Sequence, residues 1–579
     1  MTPRSRQLWN GVTLLTVVLA TAAIAATYPV LSQSYDEPLH LAGGVEWLQY
    51  GSLRLNTENP PLARVAIALG PFLAGGRLPD AAVWDPRGSN PPGPIPTGNQ
   101  VLYRDDHYVR NLTQARLGVL PSFWLLAAVV WLWAGGRQDP LCGAVAVIAA
   151  ITVPSVLAHA GFATTDVPFV AMFTAALYGL RRVLDDYRVG TVLAFAGLLG
   201  LSLLTKFSTM IFFGPACIGF AMAYVWERGI ATSYRTLLAM PWRDHLRLGA
   251  TLVIVIAVIV WAGYRFSFGP IGGISHRLGF GASLARNGVL PWWATIRVPA
   301  PALWHGMLSL RRTVAFGHRA YLLGDISQFG FWDYYPVTLA VKTPIPFLLL
   351  CLVGVGNTFR LARRPGTWPY CGAALAALCI VAAALGSTLN YGSRHVLVVY
   401  PLLAISAAWG WLEICRFSRN SVAAAAALGC VLAAQGVVAV RAYPDFLSYF
   451  NAFAGRDPGR VVVETDLDWG QDLLQLREFV RAHDAQPLHL AYFGTAMPCR
   501  LGMGELLPLE PKARTTGWVA ISEVYAREIL TIGLRRHPCD ERPAGYPADA
   551  IRGGYSWLDN YQPVARIGRS IRVYHIDAQ

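Results

Sequence analysis

Asp36 and Glu37 stand side by side in Ser34-Tyr35-Asp36-Glu37-Pro38-Leu39-His40, directly after the first apolar run, residues 8–31. A carboxylate at a membrane boundary is costly to desolvate, and acids beside a span are candidates for function. One of the pair is placed to act as a general base toward an acceptor hydroxyl. The bland alternative is a solvated loop that caps a short helix from Pro38. Related groups recur near the expected outer ends of later apolar runs: Glu58, Asp166, Lys206, Lys342, and Arg394-His395 in Asn390-Tyr391-Gly392-Ser393-Arg394-His395. Acids from separate loops and cations from several more would converge on one interfacial cleft. There the cations hold a membrane-embedded phosphate ester and stabilise it as a leaving group, while a carboxylate activates the nucleophile. Against this stands the reading in which Lys206, Lys342 and Arg394 snorkel to lipid headgroups.

The elements that must position these groups follow from composition. The chain has 579 residues, 54% hydrophobic and only 14% charged. Charged residues make up about a quarter of an ordinary soluble protein, so the class is a polytopic membrane protein. The formal charge of +14 comes from scattered arginines. Membrane topology explains that scatter better than nucleic acid, and no nucleic-acid partner is expected. Lysine occurs only as Lys206, Lys342 and Lys512.

Apolar runs near spanning length fall at about 8–31, 114–134, 140–156, 167–180, 189–204, 208–226, 248–265, 336–356, 370–387, 396–412 and 421–440. About eleven spans place the termini on opposite sides. Arginines such as Arg4, Arg6, Arg137, Arg181, Arg182 and Arg416 fall on one set of connections. Starting inside, the basic bias gives a cytoplasmic N-terminus and an external C-terminus. The first run has a basic start and small residues, but it is longer than a signal core and reads as a retained anchor.

A membrane unit at 1–440 would carry external loops at 32–112 and 266–335. The first loop holds Glu58-Asn59-Pro60-Pro61, a short interfacial piece at 65–73 and an irregular excursion at 86–98. The second ends in aromatics that include Tyr334 and Tyr335, candidates with Glu58 for acceptor or sugar contacts. From about 441 to 579 the charges nearly balance and short β-like runs alternate with helical ones, as in a small soluble α/β domain outside the membrane. Residues 461–463, 489–492, 518–521 and 571–574 read as strands, and 470–482 as a helix. Asp466-Leu467-Asp468-Trp469-Gly470-Gln471-Asp472 would then join a strand to that helix. Asp468 and Trp469 either face a sugar, or an Asp caps the helix while Trp469 packs the tail. Of nine cysteines, Cys499 and Cys539 lie in the tail, where an oxidising compartment would allow them to pair.

The ordered set resembles the lipid-linked-sugar glycosyltransferases of the GT-C fold, in particular bacterial glycosyltransferase family 39, related to protein O-mannosyltransferases and aminoarabinose transferases. It comprises Asp36-Glu37, Glu58-Asn59-Pro60-Pro61-Leu62, Thr165-Asp166, Leu203-Leu204-Thr205-Lys206, Arg394-His395-Val396 with Tyr400-Pro401, and 466–473. Asn59 stands where the mannosyltransferases have histidine, so no role of that histidine carries over. The tail is like neither relative's. The resemblance implies a polyprenyl phosphate carrying one sugar as donor, taken from the outer leaflet of a bacterial cytoplasmic membrane. The acceptor would be a protein, lipid or glycan, and the anomeric centre would invert. Asp36 is the implied base, with Glu37 and Asp166 beside it, and Lys206, Arg394, His395 and Lys342 would hold the phosphate. No Gly-rich phosphate loop is present. No cofactor is certain from the sequence, and a divalent cation held by the paired acids stays open. The alternatives are a transporter or flippase of lipid-linked sugars, or a polysaccharide polymerase or ligase.

Overall fold

In the computed structural model, residues 2–79, 93–233, 241–271, 292–529, 537–540 and 553–577 are described. The chain is a polytopic helical membrane protein with a small mixed sheet near its C-terminus. Each of the eleven apolar runs contains helix. By length and composition, 6 helices among the described residues can cross a membrane, or up to 8 if two bent pairs count as one span each. Helices Val189–Leu203 and Trp368–Ala384 are apolar but shorter. The Pro3–Ala26 and Trp242–Gly263 helices turn leucines, valines and isoleucines outward over most of their length, as a lipid-facing surface requires.

Both bends have the same cause. Proline disfavours the α conformation in the residue before it. Val153 before Pro154 and Thr343 before Pro344 are extended. The pairs Pro140–Ile151 with Pro154–Gly161 and Tyr334–Lys342 with Ile345–Arg360 therefore turn by 70° and 109°. The uninterrupted span expected at 336–356 is thus two helices at a steep angle. Elsewhere the helices pack at close quarters. A Cβ on Gly410 would lie 1.8 Å from the carbonyl oxygen of Gly354, so only glycine admits that approach.

Outside these helices lie two short antiparallel pairs, β1 (Phe268–Pro270) with β2 (Arg297–Pro299) and β3 (Ala320–Leu322) with β4 (Asp325–Ser327). The excursion expected at 86–98 falls largely outside the described residues, and from Pro94 the chain is already helical, Pro94–Leu102.

The tail sheet runs β6-β5-β7-β9-β8. Its strands are β5 (Leu488–Ala491), β6 (Leu506–Pro508), β7 (Gly517–Ser522), β8 (Ala565–Ile567) and β9 (Ile571–Ile576). β5 is parallel to β6 and β7, whereas β9 is antiparallel to β7 and β8. Helix Leu473–His483 buries Leu473, Leu474, Leu476 and Val480, one stripe at helical spacing. Cys499 and Cys539 form a disulfide. Residues 461–463 are not a strand: they are irregular chain whose three valines are buried, and a short apolar run does not by itself select β structure. A four-residue helix, Glu464–Leu467, follows them, and the longer helix begins at Leu473 with no side-chain cap, so neither Asp466 nor Asp468 caps it.

Tail and membrane helices share one hydrophobic cluster, reaching from Ala20 and Phe162 to Trp469, Leu490 and Val573. Main-chain bonds reinforce it. The Ser32 amide donates to the Gln471 carbonyl at 2.8 Å and the Tyr35 amide to the Trp469 carbonyl at 2.8 Å. The loop that ends in Asp36 is thereby laid along residues 469–471.

Candidate functional site

Asp36 is the residue before helix Glu37–Tyr50, fixed from behind by the Tyr35–Trp469 bond. Its Oδ2 accepts a hydrogen bond from Arg394 Nη1 at 2.7 Å. The same guanidinium nitrogen lies 3.8 Å from Asp166 Oδ2, while Lys206 Nζ donates to Asp166 Oδ1 at 2.6 Å. Four side chains from four distant stretches thus form a row in which carboxylates and cations alternate. Asp36, Lys206, Arg394 and His395 line one cavity of about 310 Å³, together with His40, Glu58, Tyr335 and Tyr391. Its remaining wall is largely apolar, with Leu39, Phe207, Ile211, Phe212, Leu310 and Val314. A charged end joined to an apolar wall suits an amphiphile bearing an anionic head.

Arg394 is the best-supported member. Its Nε donates to the Tyr391 carbonyl at 3.1 Å, and its guanidinium lies 4.4 Å from the Trp469 ring centre. The turn before it is clamped by the tail. Both Asp466 oxygens accept from the Ser393 amide at 3.1 Å, Oδ1 also accepts from Ser393 Oγ at 2.6 Å, and Thr465 Oγ1 donates to the Tyr391 carbonyl at 2.7 Å. Gly392 takes φ +82°, and a Cβ there would meet Thr465 Oγ1 at 2.1 Å. Burial works against the charged guanidinium, but Asp36 and Asp166 outweigh it and hold the Arg394 pKa above its ordinary value. No further hydrogen bond to Nη2 occurs among the described residues, so this cation keeps binding capacity on the cavity side.

The other sequence candidates divide. Asp166 is buried behind the two cations, accepts from Thr164 Oγ1 at 3.1 Å and does not line the cavity, so it holds cations in place and does not reach a reacting group. Glu37 points away from Asp36 into a closed network with Arg116, described below. Lys342 leaves the phosphate set: its ammonium is buried against the Leu447 carbonyl and, at 2.7 Å, the Asp466 carbonyl, stitching the tail to the bundle. Glu58 is exposed at the cavity edge and accepts from Ser309 Oγ at 2.7 Å. Tyr335 reaches the cavity while donating to the Leu389 carbonyl, whereas Tyr334 is buried beside it. Asp468 lies away from the cavity and accepts from the Gly470 and Val524 amides; burial raises its pKa to about 8 against those bonds. Trp469 is buried against Phe162, His159 and Arg394 and offers no open face to a sugar.

Two cavity-lining groups, His40 and Tyr391, and a third near Arg394, Glu464, were not proposed as site residues from the sequence. His40 lies one helical turn after Asp36, a spacing that gave the signal, and its buried Nδ1 has no hydrogen-bond partner among the described residues. Burial pushes its pKa down to about 4, so the ring is neutral at pH 7. Tyr391 gave none, because its place depends on the Gly392 turn. Glu464 also gave none: it approaches Arg394 from the tail, with His318 Nε2 3.8 Å from its carboxylate, and burial raises its pKa to about 8. Among the described residues no group of three His, Cys, Asp or Glu could hold a metal ion. Of the paired acids, Asp36 is engaged by Arg394 and Glu37 by Arg116, while Asp166 is engaged by Lys206.

No protein-family model matches the chain, and no curated protein sequence matches it. Among solved structures it is similar to ArnT from Cupriavidus metallidurans bound to undecaprenyl phosphate, with 14% identity, 97% of each chain covered and a TM-score of 0.46. The same protein in the apo state matches with 16% identity, covering 76% of this chain and 70% of that one, at a TM-score of 0.44. The archaeal oligosaccharyltransferase AglB from Archaeoglobus fulgidus, in complex with an inhibitory peptide and a dolichol-phosphate, matches with 13% identity. That match covers 74% of this chain and 55% of that one, at a TM-score of 0.42.

Proposed function

We propose that this protein is a GT-C glycosyltransferase that moves a sugar from a polyprenyl-phosphate donor to an acceptor hydroxyl or amine. The observation that carries the reading is the Asp36–Arg394–Asp166–Lys206 row at the charged end of a cavity whose remaining wall is largely apolar. The polyprenyl chain lies along the apolar wall and its phosphate displaces Asp36 from Arg394, with Lys206 and His395 completing the anion site. Asp36, released from its cation, takes the proton from the acceptor as the nucleophile attacks the anomeric carbon from the side opposite the phosphate. The sugar–phosphate C–O bond breaks and its electron pair leaves on the phosphate, where the two cations stabilise the charge. Inversion follows. Donor binding thus both fills the site and frees the base.

On this reading residues 1–440 form the membrane unit and 441–579 an extracytoplasmic domain in a bacterial cytoplasmic membrane, with the N-terminus inside. The arginine-rich connections support that orientation. Purified protein in vesicles, given a panel of polyprenyl-phosphate monosaccharides, is expected to release polyprenyl phosphate as glycan appears on an acceptor. Mass spectrometry of cell-surface glycans with and without the protein then identifies sugar and acceptor. Transport of an intact lipid-linked sugar with no cleavage would overturn the proposal.

A further inference from the structure

A second cavity, of about 380 Å³, opens at the end of the helices opposite the site just described. Asp166 and Arg181 stand at opposite ends of one helix, Asp166–Asp185, about 22 Å apart at roughly 1.5 Å per residue. That separation approaches the hydrocarbon thickness of a bilayer, about 30 Å. The cavity therefore meets the other membrane surface.

Its lining is unusual in charge. Arg137, Arg181, Arg182 and Arg416 face it, against the single carboxylate of Asp139. Two of the four are already balanced: Arg416 pairs with Asp139 and, at 2.8 Å, with Glu413, and Arg181 lies 3.1 Å from Asp185. Arg137 and Arg182 are exposed at the rim and have no carboxylate partner among the described residues. The Arg137 main chain is fixed by Arg6, whose Nη2 donates to its carbonyl at 2.6 Å. Tyr370 and Trp409, stacked at 4.8 Å and 11°, form a rigid amphipathic wall. Unpaired guanidiniums over an aromatic wall recognise phosphate oxygens better than a diffuse positive surface does.

We propose that this cavity binds the phosphate of an anionic lipid headgroup. A free phosphate shares the chemistry, but a pocket between helix ends at the membrane boundary favours the lipid, which is already concentrated there. The site lies apart from the Asp36 cavity, and the inference stands whether or not the protein transfers sugars.

The test uses the full-length protein in detergent and native mass spectrometry with equimolar phosphatidylglycerol and phosphatidylcholine. Phosphatidylglycerol is expected to be retained about tenfold or more over phosphatidylcholine. In the double variant Arg137→Gln, Arg182→Gln that retention should fall about tenfold, to the level of phosphatidylcholine, since the two unpaired cations are removed. Both arginines are at the rim, so the variant should melt with the wild type. Arg419→Gln, an exposed arginine outside the cavity, should leave retention unchanged. Equal retention of the two lipids, an unaffected double variant, or an equal loss in Arg419→Gln would each overturn the proposal. Displacement of the lipid by millimolar inorganic phosphate would overturn the lipid source in favour of a soluble phosphate.

Discussion

Asp36 and Glu37 are neighbours in sequence, and each pairs with an arginine far along the chain. The two pairs differ in completeness. Glu37 and Arg116 are almost wholly buried, with Nε–Oε1 at 2.8 Å and Nη2–Oε2 at 3.0 Å. The Glu37 carboxylate also accepts from the Ser34 and Ala163 amides, and Arg116 spends its remaining donors on the carbonyls of Tyr28, Leu31 and Ser32. Asp36 and Arg394 make one hydrogen bond between them at a cavity wall, with side chains 24% and 11% exposed. A saturated ion pair fixes a fold, because neither partner has anything left to offer a ligand. An unsaturated one can exchange partners. The difference separates a closed pair from an open one across a single peptide bond.

The most severe test of that contrast is Asp36→Asn. If Asp36 is the base, turnover should fall by about 10²–10⁴-fold while the melting temperature stays near that of the wild type. Wild-type turnover by the purified variant sinks the assignment. Glu37→Gln should do the reverse. Breaking a buried pair costs about 3–5 kcal/mol, read as a large drop in apparent melting temperature in detergent, with donor affinity retained in the folded fraction. A variant that melts with the wild type would make the pair ornamental. Next in size is Lys206→Met. Loss of a charge-assisted contact worth about 1.5–3 kcal/mol should weaken donor binding roughly ten- to a hundredfold. Unchanged affinity in both this variant and Arg394→Leu would remove the phosphate site.

The smallest effect concerns two tail carboxylates for which burial outweighs any nearby cation. Burial raises Glu464 and Asp468 to about 8, above the ordinary range near 4. A raised folded-state pKa means the stabilisation is complete below about pH 4 and is lost as pH rises through about 8. The melting temperature should therefore slip by a few degrees between pH 5 and pH 8, and Asp468→Asn should flatten that slope. A slope unchanged in the variant would assign it elsewhere.

The sequence showed most of the helical architecture, because long apolar runs admit few alternatives in a bilayer. It also showed which charged types gather at one end, and Asp36, Lys206, Arg394, His395, Glu58 and Tyr335 do meet in the cavity. It could not separate Asp36 from Glu37, since the difference lies in the direction each side chain takes from the start of a helix. Lys342 looked like Lys206 because both lie near the outer end of an apolar run, but the Thr343-Pro344 bend carries Lys342 into the tail interface. The valines at 461–463 carried a strand-like pattern and spend it on burial alone. Asp466 was visible as part of a motif. Its hold on Ser393 depends on chain crossings that no local pattern encodes.

That hold has a consequence for biogenesis. The Arg394 turn waits for a partner 73 residues downstream, and the Asp36 loop waits for Gly470, 438 residues downstream. During translation the first membrane helices and both charged loops leave the ribosome before the segment that fixes them. A nascent chain can therefore insert its helices while its reactive groups are still unset. On the proposed function, the site would be completed as a final act of maturation, after the membrane portion is already in place.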